Sequence, residues 1–211
     1  MDNLIFILFA CLAFPLVLAT FLMERSSRIV VLFIIFGSFI ALFASEVNTV
    51  LWDFSGKDVR YATTNITPIS EELLKAVPVL LYAFIFDDDR GKMVTYGAAM
   101  GIGFAILENI YIFVQNGSHF TLSWALQRAI GASLMHAICT GSVGYGISFV
   151  RKRKKLFYTG TFALLITSSV YHSVFNTLIQ SDQAVWGFAL SVVTYIPIVY
   201  FLRKKKPQRS A

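Results

Sequence analysis

Apolar residues run almost unbroken through seven stretches of the chain, near Asn3 to Leu22, Ile29 to Leu51, Pro68 to Phe86, Met93 to Gln115, Leu122 to Val150, Leu156 to Leu178 and Ala184 to Leu202. Each is close to or beyond the roughly 20 residues that an α-helix needs to cross about 30 Å of hydrocarbon. The connections are short, the longest being the sixteen residues from Trp52 to Thr67, which leaves no room for a second globular unit. The pattern predicts an all-α polytopic membrane helix bundle of about seven transmembrane helices. One transmembrane domain covers residues 1–202, and a basic cytoplasmic tail covers 203–211. Thr67 followed by Pro68 reads as the N-cap and first position of the third helix. The first stretch lacks a charged leading region and a small-residue cleavage pattern, so it reads as a retained helix.

Composition agrees with this pattern, and charge adds a direction. Of 211 residues 56% are hydrophobic and only 14% charged, against about 25% charged in ordinary soluble domains. The net charge of +6 invites a nucleic-acid reading, but the basic residues are sorted by loop. Arg25, Arg28, Arg90, Lys92, Arg151 to Lys155, Arg203 to Lys206 and Arg209 all fall on one side, whereas Lys57 and Arg60 fall on the other. Basic residues collect in cytoplasmic loops. The expected topology is therefore N-out and C-in, with membrane lipids and not nucleic acid as the partner of the charge.

The informative residues are polar ones inside apolar runs, because ionisable groups at membrane depth face the protein interior, pair, or do chemistry. Glu71, Glu72 and Lys75 open the third span, and Lys75 is spaced to pair with either glutamate. Glu108 and Asn109 lie in the fourth, Arg128 and His136 near one face of the fifth, and His172 and Asn176 one turn apart on the sixth. Glu46 and Asn48 end the second span on different faces; Glu46 is either a wall of a site or an interfacial group. At about 1.5 Å per residue these groups occupy one layer in the outer half, with His136 nearer the middle. Asp87 to Lys92 reads as a solvated turn. Cys11 and Cys139 form no ligand pattern and read as packing residues.

Carboxylates, imidazoles and carboxamides in one layer suit hydrolysis. A buried glutamate takes a proton from water with a histidine beside it, and a His/Asn pair donates to the oxyanion of a tetrahedral intermediate. No GxSxG motif points to a serine nucleophile. An ion-coupled carrier would need polar groups through both halves of the membrane, and the inner half is nearly bare. A non-catalytic scaffold is the other alternative.

The ordered set Glu71-Glu72-x-x-Lys75, Phe104-Ala105-x-x-Glu108-Asn109 with Tyr111, His136 followed by Thr140-Gly141, and His172-x-x-x-Asn176 resembles the motif series of PrsW-type intramembrane proteases. That group is related to the CAAX prenyl endoproteases and bacteriocin-processing homologues. The resemblance covers Glu71 to Asn176. It implies a multi-pass protease of the bacterial plasma membrane making a site-1 cut in a single-span, membrane-anchored substrate, commonly an anti-sigma factor, near the extracytoplasmic face. It further implies that Glu71 or Glu72 activates water with His136 while His172 and Asn176 support the oxyanion, with Lys75, Glu108, Asn109 and Arg128 supporting. The family often carries a metalloprotease label. The chain has no HExxH, and the favoured reading requires no cofactor; His136, His172 and Glu108 are the two-His plus carboxylate set available to zinc.

Overall fold

The computed structural model describes residues 4–116 and 121–204. They form seven long helices and no strand: α1 (Leu4–Thr20), α2 (Arg25–Ser55), α4 (Thr67–Ile85), α5 (Arg90–Asn116), α6 (Leu122–Ile147), α7 (Lys154–Ile179) and α8 (Ala184–Lys204), with a single turn α3 (Val59–Tyr61) between α2 and α4. The expected tail lies, from residue 205 onward, outside the described residues. α2, residues 90–115 of α5, and α7 are long and apolar enough to cross a membrane by themselves, and α1 and residues 184–198 of α8 are apolar but shorter stretches. α4 and α6 carry the buried charged residues instead.

The link between α2 and α4 departs from the sequence reading. α2 runs on through Trp52 to Ser55 and stops at Gly56, whose φ of 61° is the left-handed conformation that favours glycine at a helix end. From Val59 the chain is helical again, through a π-helical segment Ala62–Ile66 and straight into α4. Thr67 is therefore no N-cap. It sits inside continuous helix, and its hydroxyl donates to the Thr63 carbonyl.

The molecule is polar within and apolar without, as a lipid-embedded bundle must be. Large side chains such as Phe39, Phe43, Leu81, Ile166 and Val193 are exposed, while Glu72, Lys75, His136 and His172 are fully buried. With lipid outside, apolar burial gives helices little reason to associate, and close contact through small residues takes its place. Gly97 and Gly101 of α5 lie against the main chain of Thr140 and His136 on α6, and Gly144 of α6 lies against Met93. Gly37 and Gly103 bring α2 and α5 together in the same way, fastened by the Ser38 hydroxyl donating to the Gly103 carbonyl at 2.8 Å. The slab α2–α5–α6 is thus built on backbone contact. None of these glycine contacts reaches α4.

α4 is held at its C-terminal end by rings and at its N-terminal end by polar groups. Tyr82 packs edge-on against Phe33 and Tyr96, which stack with centroids 4.8 Å apart. Between the two ends Pro78 has no N–H to give the Leu74 carbonyl, so the helical ladder is weakest there. The Asp87 to Lys92 turn is solvated except at Asp88, which is buried; Lys92 pairs with Asp87 at 2.5 Å and Lys152 with Asp88 at 3.0 Å. The Asp87 carboxyl is held below its usual range by the Lys92 ammonium and the Asp89 amide. Cys139 packs as read, its thiol donating to the Ser168 carbonyl at 3.5 Å.

Candidate functional site

One half of the bundle gathers the polar residues of four helices, α4 to α7, into one cluster. α4 turns Glu71, Glu72 and Lys75 inward, all three buried, because their alternates Ile69, Leu73 and Val77 take the lipid face. Lys75 Nζ donates to Glu72 Oε1 at 2.6 Å and to His136 Nδ1 at 2.7 Å. Glu72 Oε1 also meets His172 Nδ1 at 3.0 Å. From α5, Glu108 accepts from Arg128 at 3.2 Å through Oε1 and meets His136 Nε2 at 3.1 Å through Oε2. The two imidazoles stand edge to face with centroids 4.8 Å apart.

These partners fix the tautomers. An ammonium only donates, so His136 Nδ1 accepts from Lys75 and its Nε2–H is given to Glu108. A carboxylate only accepts, so His172 gives its Nδ1–H to Glu72 and keeps a lone pair on Nε2. That Nε2 has no hydrogen-bond partner. Opposite it, 3.8 Å away, lies Glu71 Oε2, also buried and without a partner. Two acceptors facing each other in a buried site need a donor or a cation between them, since an unpaired buried polar group is costly. The adjacent glutamates differ in their partners: Glu72 Oε1 holds Lys75 and His172, whereas Glu71 is held only by Asn48; each keeps a buried Oε2 without a hydrogen bond, and that of Glu71 faces His172 Nε2.

The same pair bears on metal binding. Glu71, His136 and His172 each offer a ligand atom, and the three lie within 4.8 Å of one another. Two histidines and a carboxylate form a catalytic zinc set, and the two orphaned acceptors fit a cation. The carboxylate in this group is Glu71, not the Glu108 expected from sequence. Glu108 is turned away because Arg128 and His136 occupy both its oxygens. His136 in turn completes the group only by giving up a present bond, to Glu108 through Nε2 or to Lys75 through Nδ1.

The remaining expected residues fall around this centre. Asn176 is buried one turn beyond His172, but its Nδ2 donates to the Thr63 carbonyl of the π-helical segment at 2.9 Å. Asn109 is buried beside Glu108 with its Oδ1 unpartnered. Glu46 is exposed and lines a shallow surface depression with Val47, Val50 and Leu51, apart from the cluster. The residue that sequence reading missed is Asn48: its Nδ2 donates to Glu71 Oε1 at 3.0 Å while its Oδ1 accepts from Ser70. The signal was the phase of α2, where the buried Ala41 and Ala44 lead at helical spacing to Asn48 and not to Glu46.

Acid and base groups buried together, in helices whose outer faces are apolar, are what an enzyme working within the bilayer requires. A family model described as PrsW family intramembrane metalloprotease matches residues 14–202, and the chain belongs to that family. It is a membrane-embedded protease. Searches of curated proteins and of solved structures returned no match.

Proposed function

We propose that this protein hydrolyses a peptide bond of a single-span membrane protein near the extracytoplasmic face, using water held between Glu71 Oε2 and His172 Nε2. That facing pair of unpartnered acceptors is the observation that carries the reading. Water there would donate to both groups; Glu71 takes one proton as the oxygen attacks the scissile carbonyl, then returns it to the departing amine nitrogen. His172 orients the water through the lone pair that Glu72 fixes on Nε2. Lys75 holds Glu72 and His136 in place, and Arg128 does the same for Glu108. Asn176 is the proposed oxyanion donor, its Nδ2 leaving the Thr63 carbonyl when a substrate carbonyl arrives.

A metal-assisted version of this chemistry is favoured by the family description and by the three-residue group. Glu71, His136 and His172 would hold the ion. When bound, such an ion polarises the carbonyl and lowers the pKa of water.

Loop charge and the single polar layer support an N-out, C-in arrangement of seven spans in a bacterial plasma membrane, with residues 1–202 as one catalytic domain. The same layer supports a cut near the outer face, and the motif resemblance makes an anti-sigma factor the substrate class to try first. The test is cleavage of a single-span substrate library by purified protein in liposomes, for wild type and His172→Ala, with a strong chelator and then zinc. Cleavage that requires His172 is expected. Survival under chelation supports the metal-free form, and loss restored by zinc supports the metalloenzyme. Cleavage undiminished in His172→Ala refutes both.

A further inference from the structure

Every catalytic candidate is closed off. Glu72, His136 and His172 have no exposed side-chain surface, Glu71 has 8% and Glu108 19%, so a substrate must reach the cluster by parting helices. A groove of about 420 Å³ marks one seam, on the lipid-facing side between α4 and α7. These are the helices that carry Glu71 and His172. The groove residues interleave with the site residues: Ile69 and Leu73 flank the two glutamates, and Val170 and Ser173 flank His172.

The groove is graded along the membrane normal. Its deep part is walled by Leu73, Phe162 and Ile166, while Asn65, Ser169 and Ser173 line the outer part. From Phe162 to Val174 the α7 wall rises about 18 Å, a little over half the hydrocarbon thickness. Its outer end is crossed by the π-helical segment, which Ser173 grips by donating to the Thr64 carbonyl and Asn176 grips through Thr63. The volume seats a few side chains and not a whole helix, so an occupant lies across the mouth and inserts one face.

An apolar helix satisfies the deep part, and lipid chains would do so too. The groove's place decides between them: it lies on the two helices that carry Glu71 and His172, where a substrate has to lie, and at its outer end the Ser169 hydroxyl and Asn65 Oδ1 face it, the Ser173 hydroxyl and the Asn65 amide being bound to Thr64 and Tyr61. Backbone that leaves a helix at membrane depth must find partners in protein, and a bond has to leave its helix to be cut. We propose that the α4–α7 groove is the docking surface for the transmembrane helix of the substrate, which lies along Leu73, Phe162 and Ile166 and unwinds beside Asn65, Ser169 and Ser173. The proposal rests on the protease reading above.

The test separates docking from turnover. Benzoylphenylalanine is placed at Phe162 or Val170, or at Val193 or Ile196 on the exposed face of α8, in His172→Ala protein in liposomes. The probe is a pool of single-span peptides with biotinylated external stubs. Labelling from the groove positions, competed by unlabelled peptide and several-fold above that from α8, is expected. In active protein Val170→Trp should raise KM for a single-span substrate about tenfold, or about 1.4 kcal/mol. Its rate on the short stub peptide without a span should fall much less; Ile166→Ala, farther from His172, serves as a second variant, and Val193→Trp, outside the groove, should leave kcat and KM unchanged for both substrates. Equal labelling on both faces overturns the proposal, as does a Val170→Trp defect shared equally by both substrates. If wild type cuts neither substrate, the protease reading fails while labelling still judges the groove.

Discussion

Glu71 and Glu72 are neighbours in sequence but differ in their partners, and two conservative substitutions test the roles proposed for them. Glu71→Gln should abolish turnover while leaving helicity and thermal midpoint near wild type, because only the Asn48 hydrogen bond touches that carboxyl. Glu72→Gln should lose activity and stability together. It leaves Lys75 buried without its counter-charge, and breaking a buried pair costs about 3–5 kcal/mol; circular dichroism against temperature distinguishes the two. Asn48→Leu should lower kcat on the order of 10-fold, as loss of a group that orients a catalytic residue does, with an unchanged fold. At this scale the sequence was legible wherever a charge interrupted an apolar run. It was silent on Asn48, since a carboxamide at a helix end looks like an interfacial residue until the facing helix is known. It left Glu71 and Glu72 undivided because that choice depends on His172, a hundred residues away.

The elements divide into those joined by backbone contact and those joined by side chains. A Cβ at Gly37 or Gly97 would collide with the main chain of Met100 or Thr140, whereas one at Gly160 meets only a Leu156 side-chain carbon at 3.8 Å. Gly37→Ala and Gly97→Ala should therefore destabilise by about 1–3 kcal/mol, and Gly160→Ala should be neutral or stabilising, read from denaturation in mixed micelles. All seven long helices were visible in the sequence. The π-helical segment was not, because five ordinary residues between a polar loop and Pro68 carry no pattern that distinguishes a wide turn from a loop. The Thr67 N-cap expectation failed for the same reason: a threonine before a proline marks a start only when the preceding chain is not already helical.

For the whole molecule, the direction of insertion is open to direct measurement. In protein whose Cys11 and Cys139 are replaced by alanine, cysteines at Gly56 or Asp58 should react with an impermeant maleimide from outside intact cells, and cysteines at Asp89 or Lys152 should not; the reverse pattern would invert the topology. The division of the cluster between helices has a further consequence. Arg128, His136 and Glu108 ride on the glycine-fused slab, but Glu71, Glu72 and Lys75 ride on α4, which no glycine contact ties down and which Pro78 weakens in its middle. Any outward swing of the upper half of α4 breaks the Lys75–His136 and Glu72–His172 contacts as it admits a substrate. The entrance and the chemistry then compete for the same bonds. Apparent affinity is reduced by the fraction of molecules in the parted form, and competence returns only as α4 settles against the slab with a substrate in hand. Such a protease idles by construction, its resting state being the one in which nothing can reach Glu71 and His172.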